Sequence, residues 1–149
     1  MDLKQIYREI VNEHNLHPGH KEDLDKPTHI RRGFNPTCGD DINLQLSVDE
    51  NGIITQASFN GEGCAVSQAS SDIMLDMITG MSRSEALELV NTFMEMVRGT
   101  ATEEQIESLE EAAALKDVAH MPARVKCATL AWHTLEQILK EESDEDHKE

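Results

Sequence analysis

The chain is short of three things, and each shortage narrows what it can be. Only three of its 149 residues are cysteine, an odd count that does not build a disulfide framework. Basic residues are scarce: 13 Lys and Arg stand against 29 Asp and Glu, a net charge of −16 with His neutral. So acidic a surface repels phosphate backbones and anionic lipid, which excludes nucleic acid and membrane as expected partners and favours an electropositive protein. Apolar runs are short, and none approaches the roughly 18 residues of a membrane helix. The opening Met1-Asp2-Leu3-Lys4-Gln5 lacks the basic and apolar blocks of a secretory signal. A cytoplasmic protein is expected. There thiols stay reduced, and grouped cysteines bind metal or carry sulfur chemistry.

What is present suits one domain with its own core. Residues 1–140 are expected to form that domain, and the charged run 141–149 a disordered acidic tail. Leu3, Ile6, Tyr7, Ile10 and Val11 recur at helical spacing. The pattern breaks from Asn15 to Lys26, around Pro18 and Gly19, and His14, His17 and His20 read as solvated loop residues. His29 to Phe34 reads as a short strand. Ile42, Leu44, Leu46 and Val48 alternate with polar residues, as do Ile53, Thr55, Ala57 and Phe59 after the turn at Asp49-Glu50-Asn51-Gly52. Those two strands form a hairpin. With a four-residue loop Val48 faces Ile53, and the extended ladder sets Asp40 opposite Gly61 and Cys38 opposite Gly63, beside Cys64.

The remainder reads as helix. One runs from about Val66 to Gly80. Ser82-Arg83-Ser84-Glu85 is a capping box that opens another, closed near Gly99, and Thr102-Glu103-Glu104-Gln105 opens a short acidic one. Pro122 suits the first turn of the last helix, with Ala128, Ala131, Trp132, Leu135, Ile138 and Leu139 as its apolar stripe.

The three cysteines sit where loops meet regular elements, in Asn35-Pro36-Thr37-Cys38-Gly39-Asp40, Gly61-Glu62-Gly63-Cys64 and Arg124-Val125-Lys126-Cys127. Three thiols and Asp40 supply the four donors of a tetrahedral zinc site. Periodicity does not place Cys127 beside the other two. A lone cysteine is commonly a small buried apolar residue, and Asp beside Gly commonly serves a turn. Cys38, in a polar Pro/Gly loop, is hard to explain as core. A zinc hydrolase or deaminase is disfavoured, because the H-x-E and P-C-x-x-C pattern is absent and protein donors fill all four positions.

These segments, with Ala65 to Asp72 after Cys64 and Ala128 to Trp132 after Cys127, resemble the iron–sulfur cluster scaffold superfamily of the IscU and NifU N-terminal type, and within it the SufU branch of Gram-positive bacteria. The resemblance covers nearly the whole chain. It implies an α+β fold, a small antiparallel sheet of about three strands packed with helices. It implies zinc held by Cys38, Asp40, Cys64 and Cys127. Lys126 stands where the scaffold type carries His, and an extra segment lies around Gly99 to Leu115, both as in the SufU branch. The function so implied is a zinc-dependent sulfurtransferase that accepts persulfide sulfur from a pyridoxal-phosphate cysteine desulfurase of the SufS type and passes it to a downstream cluster scaffold. Cys38 is the expected sulfur acceptor and Cys127 the alternative, with Arg124 a partner for a released Asp40. The alternative function is a scaffold on which a [2Fe–2S] cluster is built.

Overall fold

The computed structural model describes residues 2–37 and 39–148, with side chains described except at 119–120 and 141–148. The order is α1 (Leu3–Leu16), β1 (His29–Asn35), β2 (Asp40–Val48), β3 (Ile54–Glu62), α2 (Ala65–Ile78), α3 (Arg83–Arg98), α4 (Glu103–Ser108), a run of 3-10 turns (Glu110–His120) and α5 (Pro122–Lys148). The strands form one antiparallel sheet in the order β1-β2-β3, as expected of an α+β domain.

Strand alternation decides which face is covered. Ile42, Leu44 and Leu46 of β2 and Ala57 and Phe59 of β3 point to one side and are buried. The helices cover that side. Ile73 and Ile78 of α2, Phe93 of α3 and Trp132 and Leu135 of α5 complete a single core, with Trp132 stacked on Phe93 at 3.8 Å between ring centroids. Across the opposite face runs the segment between α1 and β1. Asp23 accepts from Gln45 Nε2 at 2.9 Å and from Asn60 Nδ2, and the Leu24 amide donates to Gln45 Oε1 at 2.8 Å.

The hairpin register departs from expectation. Leu44 pairs with Phe59 and Asp41 with Glu62, so the ladder is displaced along β3. Two local features cause this. The Asp49 amide donates to Ile53 O at 2.9 Å, and the Asp49 carboxylate caps Asn51 N and Ile53 N, so the loop is Glu50-Asn51-Gly52 with Gly52 at φ 78. Thr55 then stands out of the ladder as a bulge, its hydroxyl donating to Ser47 O at 3.1 Å.

Two further expectations change. His14 is not a loop residue: α1 reaches Leu16, and the His14 ring is held between Asp72 and Glu111 at 2.6 Å each. His20 is likewise anchored, donating its amide to Asp72 Oδ1 at 2.8 Å. The last helix does not stop near Lys140 but keeps helical backbone through Lys148. That run is mostly Glu, Asp and Lys, and the long members Glu and Lys are good helix formers. Among the described residues no helix is long and apolar enough to cross a membrane.

Candidate metal centre

Asp40 opens β2 in phase with Ile42 and Leu44, so its side chain enters the covered face and is fully buried. Its neighbour Asp41 points the other way and is taken by Arg32 in a bidentate pair, both contacts at 2.7 Å. Those hydrogen bonds hold the Asp41 carboxyl below the usual carboxylate range. Of the two adjacent carboxylates, only Asp40 faces the thiols.

The end of β3 delivers Cys64. Gly61, at φ 113, passes so close to β2 that a Cβ there would stand 2.1 Å from Asp41 O. Cys64 then caps α2, and its sulfur accepts from Ser67 N at 3.4 Å. The Cys64 amide donates to Asp40 Oδ1 at 2.8 Å, while its Sγ lies 4.0 Å from Oδ2. One carboxylate oxygen is thus anchored and the other is turned to the sulfur.

Cys127 arrives from α5, on the turn after Pro122, and is 2 % exposed. What sequence periodicity does not show is the tie between α2 and α5. The Ser70 hydroxyl donates to Ala128 O at 2.6 Å and accepts from Trp132 Nε1 at 2.9 Å. This buried chain fixes the backbone directly after Cys127 against the helix that Cys64 begins.

As a result a carboxylate oxygen of Asp40 and the sulfurs of Cys64 and Cys127 all lie within 4.8 Å of one another. Donors about 2.3 Å from a tetrahedral zinc stand about 3.8 Å apart, so a small inward movement suffices to bind it. Two thiolates and a carboxylate also suit zinc chemically. These residues fit the metal. Cys38 lies outside the described residues. It belongs to the stretch between β1 and β2, where Gly39 N donates to Asn35 O at 2.9 Å and Thr37 N to Asn35 Oδ1 at 3.1 Å.

The other candidates fall around this group. Arg124 and Lys126 are exposed on α5 just before Cys127, and among the described residues no ion pair joins Arg124 to Asp40. His133 is exposed further along α5. Sequence reasoning missed Ser67, a buried hydroxyl beside Cys64. Its place three residues after a helix-capping cysteine was the available signal.

The family model for the NifU-like N-terminal domain matches residues 6–128, which run from within α1 to the start of α5 and include all three donors described above. The chain belongs to the NifU-like N-terminal domain family. Among its relatives is a protein of Streptococcus pyogenes serotype M1 called iron-sulfur cluster assembly scaffold protein IscU, 41 % identical over 97 % of this chain and 89 % of that one. Another is the zinc-dependent sulfurtransferase SufU of Bacillus subtilis, 37 % identical over 95 % of each. A similar solved structure is a putative iron-sulfur cluster assembly scaffold protein for the SUF system from Fervidobacterium islandicum, with TM-score 0.83 and 32 % identity, covering 93 % of this chain and 99 % of that one. That similarity shows the two chains to share one fold, in this chain a three-stranded sheet with helices packed on it.

Proposed function

We infer that this protein serves iron–sulfur cluster assembly as a zinc-dependent sulfurtransferase. It takes sulfur from the persulfide of a pyridoxal-phosphate cysteine desulfurase and hands it to a downstream scaffold. The observation that carries this reading is the convergence of Asp40, Cys64 and Cys127 within 4.8 Å, in a chain 37 % identical to a zinc-dependent sulfurtransferase.

Zinc, bound by these three residues and Cys38, would keep the sulfurs as thiolates and in place. A thiolate of this chain attacks the outer sulfur of the partner's persulfide. A new S–S bond forms here, the partner's S–S bond breaks, and its electron pair leaves on the desulfurase thiolate. Nothing is oxidised or reduced overall. Cys38 is the proposed acceptor, because a Pro/Gly turn moves without disrupting a helix, whereas Cys127 is buried in α5. Asp40 is the hard oxygen donor among soft sulfurs and the one most readily released, with exposed Arg124 on α5 available to receive it.

The scaffold reading rests on the 41 % identical relative named as a scaffold, and the same donors can hold a [2Fe–2S] cluster as cargo. Desulfurase turnover separates the two. Zinc-loaded wild type is expected to stimulate turnover strongly, and Cys38→Ala to lose the stimulation. If the two proteins bind and zinc-loaded wild type gives no stimulation, the transfer reading fails and the scaffold reading stands.

A further inference from the structure

Helix α2 carries buried serines at 67, 70 and 71. Ser70 bridges Trp132 and Ala128, and the Ser71 hydroxyl donates to Ser67 O at 2.8 Å. Ser67 is 1 % exposed, and its hydroxyl has no hydrogen-bond partner among the described residues. The same holds for Ser58, but that residue lies on β3 away from the thiols. A buried hydroxyl without a partner is destabilising, so its presence calls for a reason.

The reason lies in the helix cap. In α1, α3 and α4 the capping residue and the residue three places on exchange hydrogen bonds in a complete capping box. In α2 half of that box exists: Ser67 N donates to Cys64 Sγ. The returning bond, from the Cys64 amide to the Ser67 side chain, is not made, and that amide donates to Asp40 Oδ1 at 2.8 Å instead. Both oxygens lie beside Gly63, the residue that precedes this amide. A Cβ on Gly63 would stand 3.1 Å from Asp40 Oδ1 and 3.1 Å from Ser67 Oγ. A side chain at 63 would crowd both, each having to give by a few tenths of an ångström.

We propose that Ser67 is the stand-in for Asp40: when the carboxylate leaves the site, the Cys64 amide passes to Ser67 Oγ and the capping box of α2 closes. Ser67 is then a positioning residue. It holds Cys64 and the start of α2 in place while the ligand set is open. The orphaned hydroxyl is the vacant half of an exchange, with a partner only when Asp40 is away. This rests on the reading of Asp40 as a releasable ligand.

The test is a cycle of Asp40→Ala and Ser67→Ala in the metal-free full chain, read by amide hydrogen exchange at Cys64. Ser67→Ala alone should leave protection unchanged, since Asp40 still accepts. Asp40→Ala alone should keep most of it. The double variant should lose it by about tenfold, the scale of one hydrogen bond. Equal loss in Asp40→Ala and in the double variant overturns the proposal. Zinc release from Ser67→Ala to a chelator is a second measurement that needs no Asp40 variant. Release several-fold slower than wild type is expected, because the open state loses its acceptor, and an unchanged rate overturns the proposal. Zinc affinity of Asp40→Ala reports separately on whether Asp40 is a ligand. Wild-type affinity there would remove the ligand reading while leaving the amide result to decide the role of Ser67.

Discussion

Replacing His14 by alanine should cost stability in a pH-dependent way. Nδ1 lies 2.6 Å from Asp72 Oδ2 and Nε2 lies 2.6 Å from Glu111 Oε2. Ionised carboxylates only accept, so both contacts are hydrogen bonds only when both ring nitrogens carry protons. Burial opposes the charge, but hydrogen bonding to Asp72 and Glu111 outweighs it, and the His14 pKa is raised above its ordinary 6.5. The imidazolium ties α1 to α2 and to the 3-10 segment. Asp72 is 3 % exposed and keeps the His20 amide after the substitution, so the loss falls below the 3–5 kcal/mol of a fully broken buried pair. Glu111 is 50 % exposed and adds at most about 1 kcal/mol. The estimate is about 2 kcal/mol near pH 6, a melting temperature lower by roughly 4–8 °C for a chain of this size. Because the folded pKa is the higher one, the contribution is complete below about pH 6.5 and fades as pH rises through the folded value. Urea unfolding of both proteins from pH 5.5 to 9 measures it. A wild-type advantage that stays constant or grows with pH would refute the doubly bonded imidazolium.

Cys127→Ser should lower zinc affinity by at least about a hundredfold in chelator competition, since even residues behind metal ligands can cost that much; Asp41→Asn should leave it within about twofold, and equal losses would contradict the assignment of Asp40 over Asp41. Gly33→Ala drives a Cβ to 2.2 Å from the Thr134 hydroxyl where α5 crosses β1, and should destabilise by about 1–3 kcal/mol in urea, with recovery on adding Thr134→Ala. Failure of the second change to recover stability would mean that the strain lies elsewhere. Association with a desulfurase should weaken steeply with ionic strength, given the net charge of −16; a flat titration of binding against salt would exclude electrostatic steering.

The parts legible in the sequence are those whose cause is local. Helix faces follow from the spacing of their apolar residues, and the Ser82 and Thr102 boxes each close on the residue three places on. The inward turn of Asp40 follows from its phase with Ile42 and Leu44. Register is different. Sliding β3 by two residues returns every side chain to the face it had, so alternation cannot tell Leu44 opposite Ala57 from Leu44 opposite Phe59. The choice is made by a hydrogen bond at Asp49 and a bulge at Thr55, neither of which leaves an apolar pattern. The place of His14 is hidden for a related reason: its partners, Asp72 and Glu111, are 58 and 97 residues away. The placement of Cys127 combines both limits. Its helix is plain from Ala128, Ala131 and Leu135, but its position beside Cys64 depends on one serine hydroxyl reaching Ala128 O across two helices. A candidate metal centre built from three separate elements is therefore a product of tertiary ties. Those ties use ordinary residues, Ser70 and Gly61 among them, whose roles emerge only once the chain is folded.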